Sequence, residues 1–280
     1  LTTRDNQQVQ VVNFLGDAVR IARLAGTLLK NRFHTHFSVH YKNAADQGES
    51  DIVTEVDQAA QDLIEKEILN KYPDHGILAE ENLDFRGASD FVWIVDPLDG
   101  TTNYAHGFPV FSVSIAIAHR DETVCGVVYN PVSEEMFKGI RGEGADLNAH
   151  PIRISETDHL NRSLLGTGFP YNIRKTTDTN LDHFHDFALK SQGIRRCGSA
   201  ALDLCFVAAG RLDGFWELDL KPWDIAAGAL IVREAGGITS DFCGNPLVLS
   251  ASQVLATNGS IHDQMLDVLR RSSGKSEDRD

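Results

Sequence analysis

The run Phe91-Val92-Trp93-Ile94-Val95 leads directly into Asp96-Pro97-Leu98-Asp99-Gly100-Thr101-Thr102-Asn103-Tyr104-Ala105-His106-Gly107-Phe108, and this junction constrains the chain more than any other feature. Its first five residues are apolar, β-branched or aromatic, the composition of a short buried strand, so Asp96 falls at a strand end. Pro97 fixes its own φ and removes a backbone donor. Gly100 opens a conformation closed to other residues, and Thr101 and Thr102 can cap the next element. Such a turn is rigid and rich in N–H groups that bind anions, while Asp96 and Asp99 offer oxygen to hard cations. A phosphate and its magnesium could share it. An ordinary Asp-Gly turn with a structural aspartate carries the same local signature, so the junction alone leaves both readings open.

Other acidic positions shift the balance. Gly76-Ile77-Leu78-Ala79 is a second short apolar segment; it ends in Glu80-Glu81, just after Tyr72-Pro73-Asp74-His75 has closed a helix. Lys221-Pro222-Trp223-Asp224-Ile225-Ala226-Ala227-Gly228 puts Asp224 at the mouth of a helix whose first turns are small residues. Ser50-Asp51-Ile52-Val53-Thr54-Glu55-Val56-Asp57 precedes a helix from Gln58 to Lys71; it supplies Asp51, Thr54 and Asp57, of which the last two are also capping residues. Taken singly, each of these carboxylates reads as well as a cap or a solvated group.

Taken in order, an aspartate, Glu-Glu, Asp-Pro-Leu-Asp-Gly-Thr and Trp-Asp-x-Ala-Ala form a pattern that resembles the inositol monophosphatase family of magnesium-dependent phosphatases. The resemblance runs from Val11 to Arg270 with no departure at the metal positions. Gly166-Thr167-Gly168-Phe169-Pro170 and Arg196-Cys197-Gly198-Ser199-Ala200-Ala201 look like the bacterial branch. The resemblance implies that Glu80, Asp96 and the Leu98 carbonyl hold one Mg2+, that Asp96, Asp99 and Asp224 hold a second, and that a third lies near Glu80. It implies that Thr101, beside Glu80, orients the nucleophilic water, that Gly100 and Thr101 hold phosphate oxygens through their N–H groups, with Thr102 next in the same turn, and that Asp51 stands in an outer position near the third ion. Asp99, the Ala200 backbone and Glu217 would line the pocket for the polyol ring. The implied fold is mixed α/β, a layered αβαβα sandwich of the type shared with fructose-1,6-bisphosphatases. A homodimer, lithium inhibition and, in some bacterial relatives, association with the transcription machinery also follow from the resemblance alone.

The chemistry can be read from the residues too. Phosphate monoesters are dianions that hydrolyse very slowly unaided, so their site must neutralise charge and align a water. A cluster of Glu80, Asp96, Asp99 and Asp224 would repel such a substrate unless divalent cations invert the local charge. An all-oxygen ligand set without Cys or His spacing favours magnesium over zinc. Glu217, at the end of Gly214-Phe215-Trp216-Glu217, could accept hydrogen bonds from ring hydroxyls, and a strand-end surface glutamate is the plainer alternative. The expected activity is hydrolysis of myo-inositol monophosphates. Rival readings are a same-fold phosphatase for fructose 1,6-bisphosphate, histidinol phosphate or NADP, and a protein that acts mainly as a binding partner.

Other features carry less. Gly142-Glu143-Gly144 lacks the third glycine of a dinucleotide loop and reads as a hairpin turn. His34, His36 and His40 could bind a transition metal but read as solvated loop residues; His106 could lie behind the metal turn; Arg195-Arg196 reads as a surface pair. Twenty-six basic against forty acidic residues give a net charge of −14, which argues against a direct nucleic-acid ligand, since phosphate-backbone binding needs clustered Lys and Arg. Cys125, Cys197, Cys205 and Cys243 have no paired spacing and read as free thiols of a reducing cytoplasm. No apolar run is long enough for a membrane span, and the first residues do not read as a signal peptide.

Apolar residues at three- and four-residue steps predict a helix over Val11 to Asn31. Period-two alternation predicts antiparallel strands through Val113 to Ile117, Val124 to Tyr129 and Glu135 to Ile140. After Pro151, strand and helix alternate: Leu164 to Thr167, Leu181 to Ser191, Ser199 to Ala209, Gly214 to Glu217, Asp224 to Ala235 and Gly237 to Asp241. The expected organisation is an N-terminal α+β portion over 1–150 carrying most metal ligands, a C-terminal α/β portion over 151–270 carrying Asp224 and the substrate-reading residues, and a polar, disordered tail over 271–280, with the cleft where the halves meet.

Overall fold

Side chains alternate between the two faces of each strand, and this alternation sorts the molecule into layers. The computed structural model describes residues 3–35, 39–41, 52–81 and 83–274. The first half contains α1 (Thr3–Arg32), β1 (Val39–Tyr41), β2 (Ile52–Thr54), α2 (Glu55–Lys71), β3 (Gly76–Ala79), β4 (Leu83–Phe85), β5 (Phe91–Asp99), α3 (Thr101–Ala105), β6 (Ser112–His119), β7 (Glu122–Asn130), β8 (Glu135–Ile140), β9 (Gly144–Leu147) and β10 (His150–Pro151). Strands β3 to β10 make one eight-stranded sheet in the order β10-β9-β8-β7-β6-β5-β3-β4; β3 and β5 run parallel and the other pairs antiparallel. On one face Trp93, Val95, Val113, Ile115, Ile117, Cys125 and Val127 pack against Phe14, Ala18, Ile21 and Ala25 of α1 and Ala60, Ile64 and Ile68 of α2. The intervening residues Ile94, Ala116, Ala118 and Val128 point the other way, into a second core.

That second core is filled by two helices of the other half, which contains β11 (Leu164–Thr167), α4 (Leu181–Ala188), β12 (Gly193–Arg195), α5 (Ala200–Ala208), β13 (Gly214–Leu218), α6 (Pro222–Glu234), β14 (Ile238–Ser240), β15 (Gln253–Thr257) and α7 (His262–Gly274). The five strands form a sheet in the order β12-β11-β13-β15-β14. Helices α5 and α6 lie between the sheets, and α4 and α7 cover the outer face of the smaller one through Phe187, Trp216, Leu218, Leu255, Met265, Leu266 and Leu269. The result is the expected five-layer αβαβα sandwich.

Small residues set how closely the middle layer approaches its neighbours. A Cβ added at Gly126 of β7 would stand 2.9 Å from Ala227 Cα, and one at Gly228 would stand 2.7 Å from Leu204 Cβ. Helix α6 is thus seated backbone to backbone on the large sheet and hard against α5. Bulkier side chains at either glycine would lever Asp224 away from the sheet.

The structure departs from the sequence expectations in several places. Helix α1 begins eight residues before Val11, at Thr3. The strand expected to stop at Val95 continues to Asp99, because a bulge between Asp96 and Asp99 absorbs Pro97 and lets Asp99 pair with Ser112 of β6. Helix α4 stops at Ala188 rather than Ser191. The hairpin turn expected at Gly142-Glu143-Gly144 joins β8 to β9. Strand β15, antiparallel between β13 and β14, and helix α7 were not anticipated; α7 runs to Gly274, into the segment expected to be a tail, and 275–280 lie outside the described residues. No helix among the described residues is long and apolar enough to cross a membrane.

Candidate active site

Glu80 follows β3 directly, and its N–H donates to the Val95 carbonyl at 3.2 Å, which sets it beside Asp96 on the neighbouring strand. Gln61 of α2 fixes the same turn, accepting from Glu81 N at 2.9 Å and donating to the Glu81 carbonyl at 3.0 Å. Asp96 accepts from Leu98 N at 2.9 Å. Asp99, at the end of β5, accepts from Ala201 N at 3.0 Å, Ala200 N at 3.2 Å, Ser112 Oγ at 3.3 Å and Ser199 Oγ. The large sheet is thereby tied to the start of α5. Asp224, in the first turn of α6, accepts from Lys221 N at 2.7 Å; Pro222 opens that helix, where its missing N–H costs nothing.

Gly100 makes the turn between β5 and α3. Its φ of +99° belongs to glycine, and an added Cβ would come within 3.0 Å of the Val110 carbonyl and 3.1 Å of the Gly198 carbonyl. Asn103 then bridges the halves, donating to the Val110 carbonyl at 2.7 Å and the Cys197 carbonyl at 2.8 Å.

These elements enclose a cavity of about 370 Å³ lined by Glu80, Asp96, Leu98, Asp99, Gly100, Thr101, Thr102, Ala200, Glu217 and Asp224, so the structure brings together every expected site residue that it describes. Asp51 lies outside the described residues. Of the Ala200 backbone, expected to line the polyol pocket, the N–H is engaged by Asp99 Oδ1. Arg196 also lines the cavity, whereas Arg195 belongs to edge strand β12. His34 sits in the turn after α1, His40 in β1 and His106 at the end of α3; His36 lies outside the described residues.

Burial and mutual repulsion dominate the electrostatics. Burial, then Glu80, Asp99 and Asp224, push the Asp96 carboxyl well above its ordinary range. Burial raises Asp99 to about 6 against the opposing hydrogen bonds from Ser199, Ala201 and Ser112. Asp224 is raised by burial and by Asp99 and Glu80, against the opposing Lys221 N–H, and Glu217 by burial, Asp203, Asp224 and Asp99. Negative charge crowded in this way is stable only beside cations. Among the described residues the carboxylates line the cavity walls without closing into a cluster of three or more His, Cys, Asp or Glu ligands, and Asp96, Asp99 and Asp224 each lean on a main-chain N–H. Their all-oxygen chemistry fits hard divalent ions.

The structure also places residues that the sequence reading left out of the site. Thr101 Oγ1 stands 2.9 Å from Asp57 Oδ1 and 3.0 Å from the Leu98 carbonyl. Asp57 was read as one of the acidic positions and also as a cap of α2, without a place in the site; it does cap, its Oδ2 accepting from Thr54 N at 2.9 Å and from Thr54 Oγ1, while Thr54 Oγ1 caps Val56 N at 3.2 Å. An Asp at this capping position is the available signal, because its second oxygen remains to face another element. Gly168 is a second omission. A Cβ there would run into the Glu217 carboxylate, so the glycine is what lets Glu217 lie against the end of β11.

Residues 8–274 match the inositol monophosphatase family. The inositol-1-monophosphatase of Synechocystis sp. is 50% identical over 220 residues, 78% of this chain and 77% of the relative. The Nus factor SuhB of Escherichia coli K12 is 41% identical over 266 residues, 92% of this chain and 98% of the relative. Among solved structures, the inositol monophosphatase of Anabaena (Nostoc) sp. superposes with a TM-score of 0.84 at 39% identity, covering 94% of this chain and 97% of that one.

Proposed function

The chain belongs to the inositol monophosphatase family of phosphatases, and on that premise we propose that it is a Mg2+-dependent phosphomonoesterase that releases phosphate from myo-inositol monophosphates. The observation that carries this reading is one cavity joining Glu80, Asp96, Asp99 and Asp224 to the Thr101–Asp57 hydrogen bond and to Glu217. Glu80, Asp96, the Leu98 carbonyl, Asp99 and Asp224 would hold two to three Mg2+ ions, which when bound supply positive charge for phosphate oxygens and make water a better nucleophile.

The chain's own groups do the rest. The Gly100 and Thr101 N–H groups, at the start of α3, would receive phosphate oxygens. Thr101 Oγ1 would take a proton from the attacking water as it passes its own to Asp57 Oδ1, whose other oxygen stays fixed by Thr54. Burial raises the Asp57 carboxyl above its ordinary value, which suits it to take that proton. Glu217 would accept hydrogen bonds from leaving-group hydroxyls. Asp51, in the resemblance an outer-shell residue near a third ion, keeps that proposed place. We take the active form to be a lithium-sensitive homodimer, as the family resemblance implies.

The test is phosphate release from inositol, sugar and nucleotide phosphates with Mg2+, with chelator, and with Asp99→Asn as control. Turnover led by inositol monophosphates supports the reading; turnover led by another ester keeps the metal chemistry and replaces the substrate. The 41% identity to a Nus factor favours a second reading, in which the chain acts through protein contacts of the transcription machinery. Asp96→Asn in a deletion strain separates the two: full rescue by this variant would assign the cellular role to contacts rather than turnover.

A further inference from the structure

Residues 168–180 connect β11 to α4 and form a loop pinned at both ends by one buried side chain. Asn180 Nδ2 lies 2.6 Å from the Gly168 carbonyl and 3.0 Å from Thr167 Oγ1, and Asn180 Oδ1 accepts from Trp216 Nε1 at 2.8 Å. Thr167 Oγ1 lies in turn 2.7 Å from the Trp216 carbonyl. Asn180 holds φ +65° to do this, a left-handed conformation that Asn tolerates better than most residues. The base of the loop is therefore locked to β13, the strand that carries Glu217.

The two aromatic residues near the start of the loop have different surroundings. Phe169 packs on Phe184 of α4, with ring centroids 5.8 Å apart. Tyr171 lines the cavity together with Glu217 and Asp224, yet its residue surface is 55% exposed, so it is held at the mouth and takes no part in a core. Protein atoms around its hydroxyl, then Glu80, Asp224, Asp99 and Asp96, hold the phenol well above its ordinary range, so the hydroxyl keeps its proton beside the carboxylates. Phe169, Pro170, Leu218, Leu220 and Trp223 also line the cavity, but these are buried or half-buried, and among the apolar and aromatic lining residues Tyr171 alone is exposed. Its ring is therefore the aromatic face most open to the C–H face of a ring.

We propose that Tyr171 is a specificity-determining residue, whose ring packs against a cyclic leaving group while Glu217 reads that group's hydroxyls, so that the site prefers ring esters over open-chain esters. This deepens the reading of the site as a polyol phosphatase and rests on it.

The test compares wild type, Tyr171→Ala and Tyr171→Phe on inositol 1-phosphate, a cyclic ester, and glycerol 2-phosphate, an open-chain ester, with thermal melting to verify folding. Tyr171→Ala is expected to raise KM for the cyclic ester about fivefold to tenfold and to leave glycerol 2-phosphate within about twofold; Tyr171→Phe should stay within about twofold on both. Equal losses on the two esters, or none, would overturn the proposal while leaving the phosphatase reading intact. If wild type prefers another ring ester, the substrate proposed above falls, and the same ratio measured on that ester decides the role of Tyr171. A folded wild-type chain that hydrolyses no ester removes both.

Discussion

Thr101 and Asp57 meet across two elements, with Oγ1 of one 2.9 Å from Oδ1 of the other, although the first opens the helix after the central strand and the second sits in the first turn of α2. Because Asp57 is fully buried and its remaining oxygen is committed to Thr54, its geometry toward Thr101 is fixed before any substrate arrives. Asp57→Asn should therefore lower kcat by about 10²-fold or more and change KM little, while the amide oxygen keeps the cap and costs roughly 1 kcal/mol or less of stability. Steady-state kinetics alongside chemical denaturation measures both; an unchanged kcat would remove Asp57 from the proton path.

Glu217 and Gly168 should behave as a pair. Glu217→Ala is expected to damage turnover of inositol monophosphates far more than that of a generic ester such as p-nitrophenyl phosphate. Gly168→Ala, whose new methyl group would displace the Glu217 carboxylate, should reproduce that pattern without touching an ionisable group. If Gly168→Ala leaves both substrates unaffected, Glu217 has room to move and its reading of hydroxyls is less exact than the packing indicates.

Asp203 makes a prediction about stability against pH. It is 1% exposed, its Oδ1 has no hydrogen-bond partner among the described residues, and burial raises its carboxyl to about 8, with Asp99 adding to the rise and Cys197 and Arg196 opposing it. An acid whose folded value exceeds its unfolded value of about 4 holds its proton longer in the folded state, so stability falls as pH rises through that interval and the full penalty is present above it. Asp203→Asn should be more stable than wild type by about 1–3 kcal/mol at pH 9 and about equal to it at pH 4. Urea titrations at the two values give the answer, and a difference that does not change with pH would contradict it.

Cation binding should act on the same scale. Asp96, Asp99 and Asp224 are each raised by burial and by their neighbours, Asp99 to about 6, so the metal-free protein loses stability as pH rises and these carboxyls ionise. Millimolar Mg2+ should raise the melting temperature at pH 8 and do little at pH 4, where the ligands are protonated. Scanning calorimetry with Asp224→Asn as control would detect this; an equal shift in that variant would place the stabilising ion elsewhere.

The layers were legible in the sequence because their signals are local. Phe91 to Val95 form an unbroken apolar run and Val113 to Ile117 alternate at period two, while Asp96 and Asp99 sit beside Pro97 and Gly100 and Asp224 stands two residues after Pro222, each at an element end. What escaped notice depends on partners distant in sequence. The bulge after Asp96 is defined by pairing with Ser112 and Ser114, and the hydroxyls of Ser112 and Ser199 matter only because they converge on Asp99. Strand β15 is a five-residue segment whose place between β13 and β14 no local pattern specifies. Asp57 announced its capping role through Thr54, three residues away, and gave no local sign of Thr101, forty-four residues on.

The seat of α6, through Ala227, on Gly126 of β7 carries a consequence for how such a protein can change. The aspartate at the head of that helix is positioned by main-chain contact, so it cannot drift without rebuilding two sheets and the helix between them. The segment bearing Tyr171 is locked to β13 at its base, so its interior can be rewritten while the anchor persists. New substrates should therefore be acquired along one rim of the opening, with the chemistry beneath held constant.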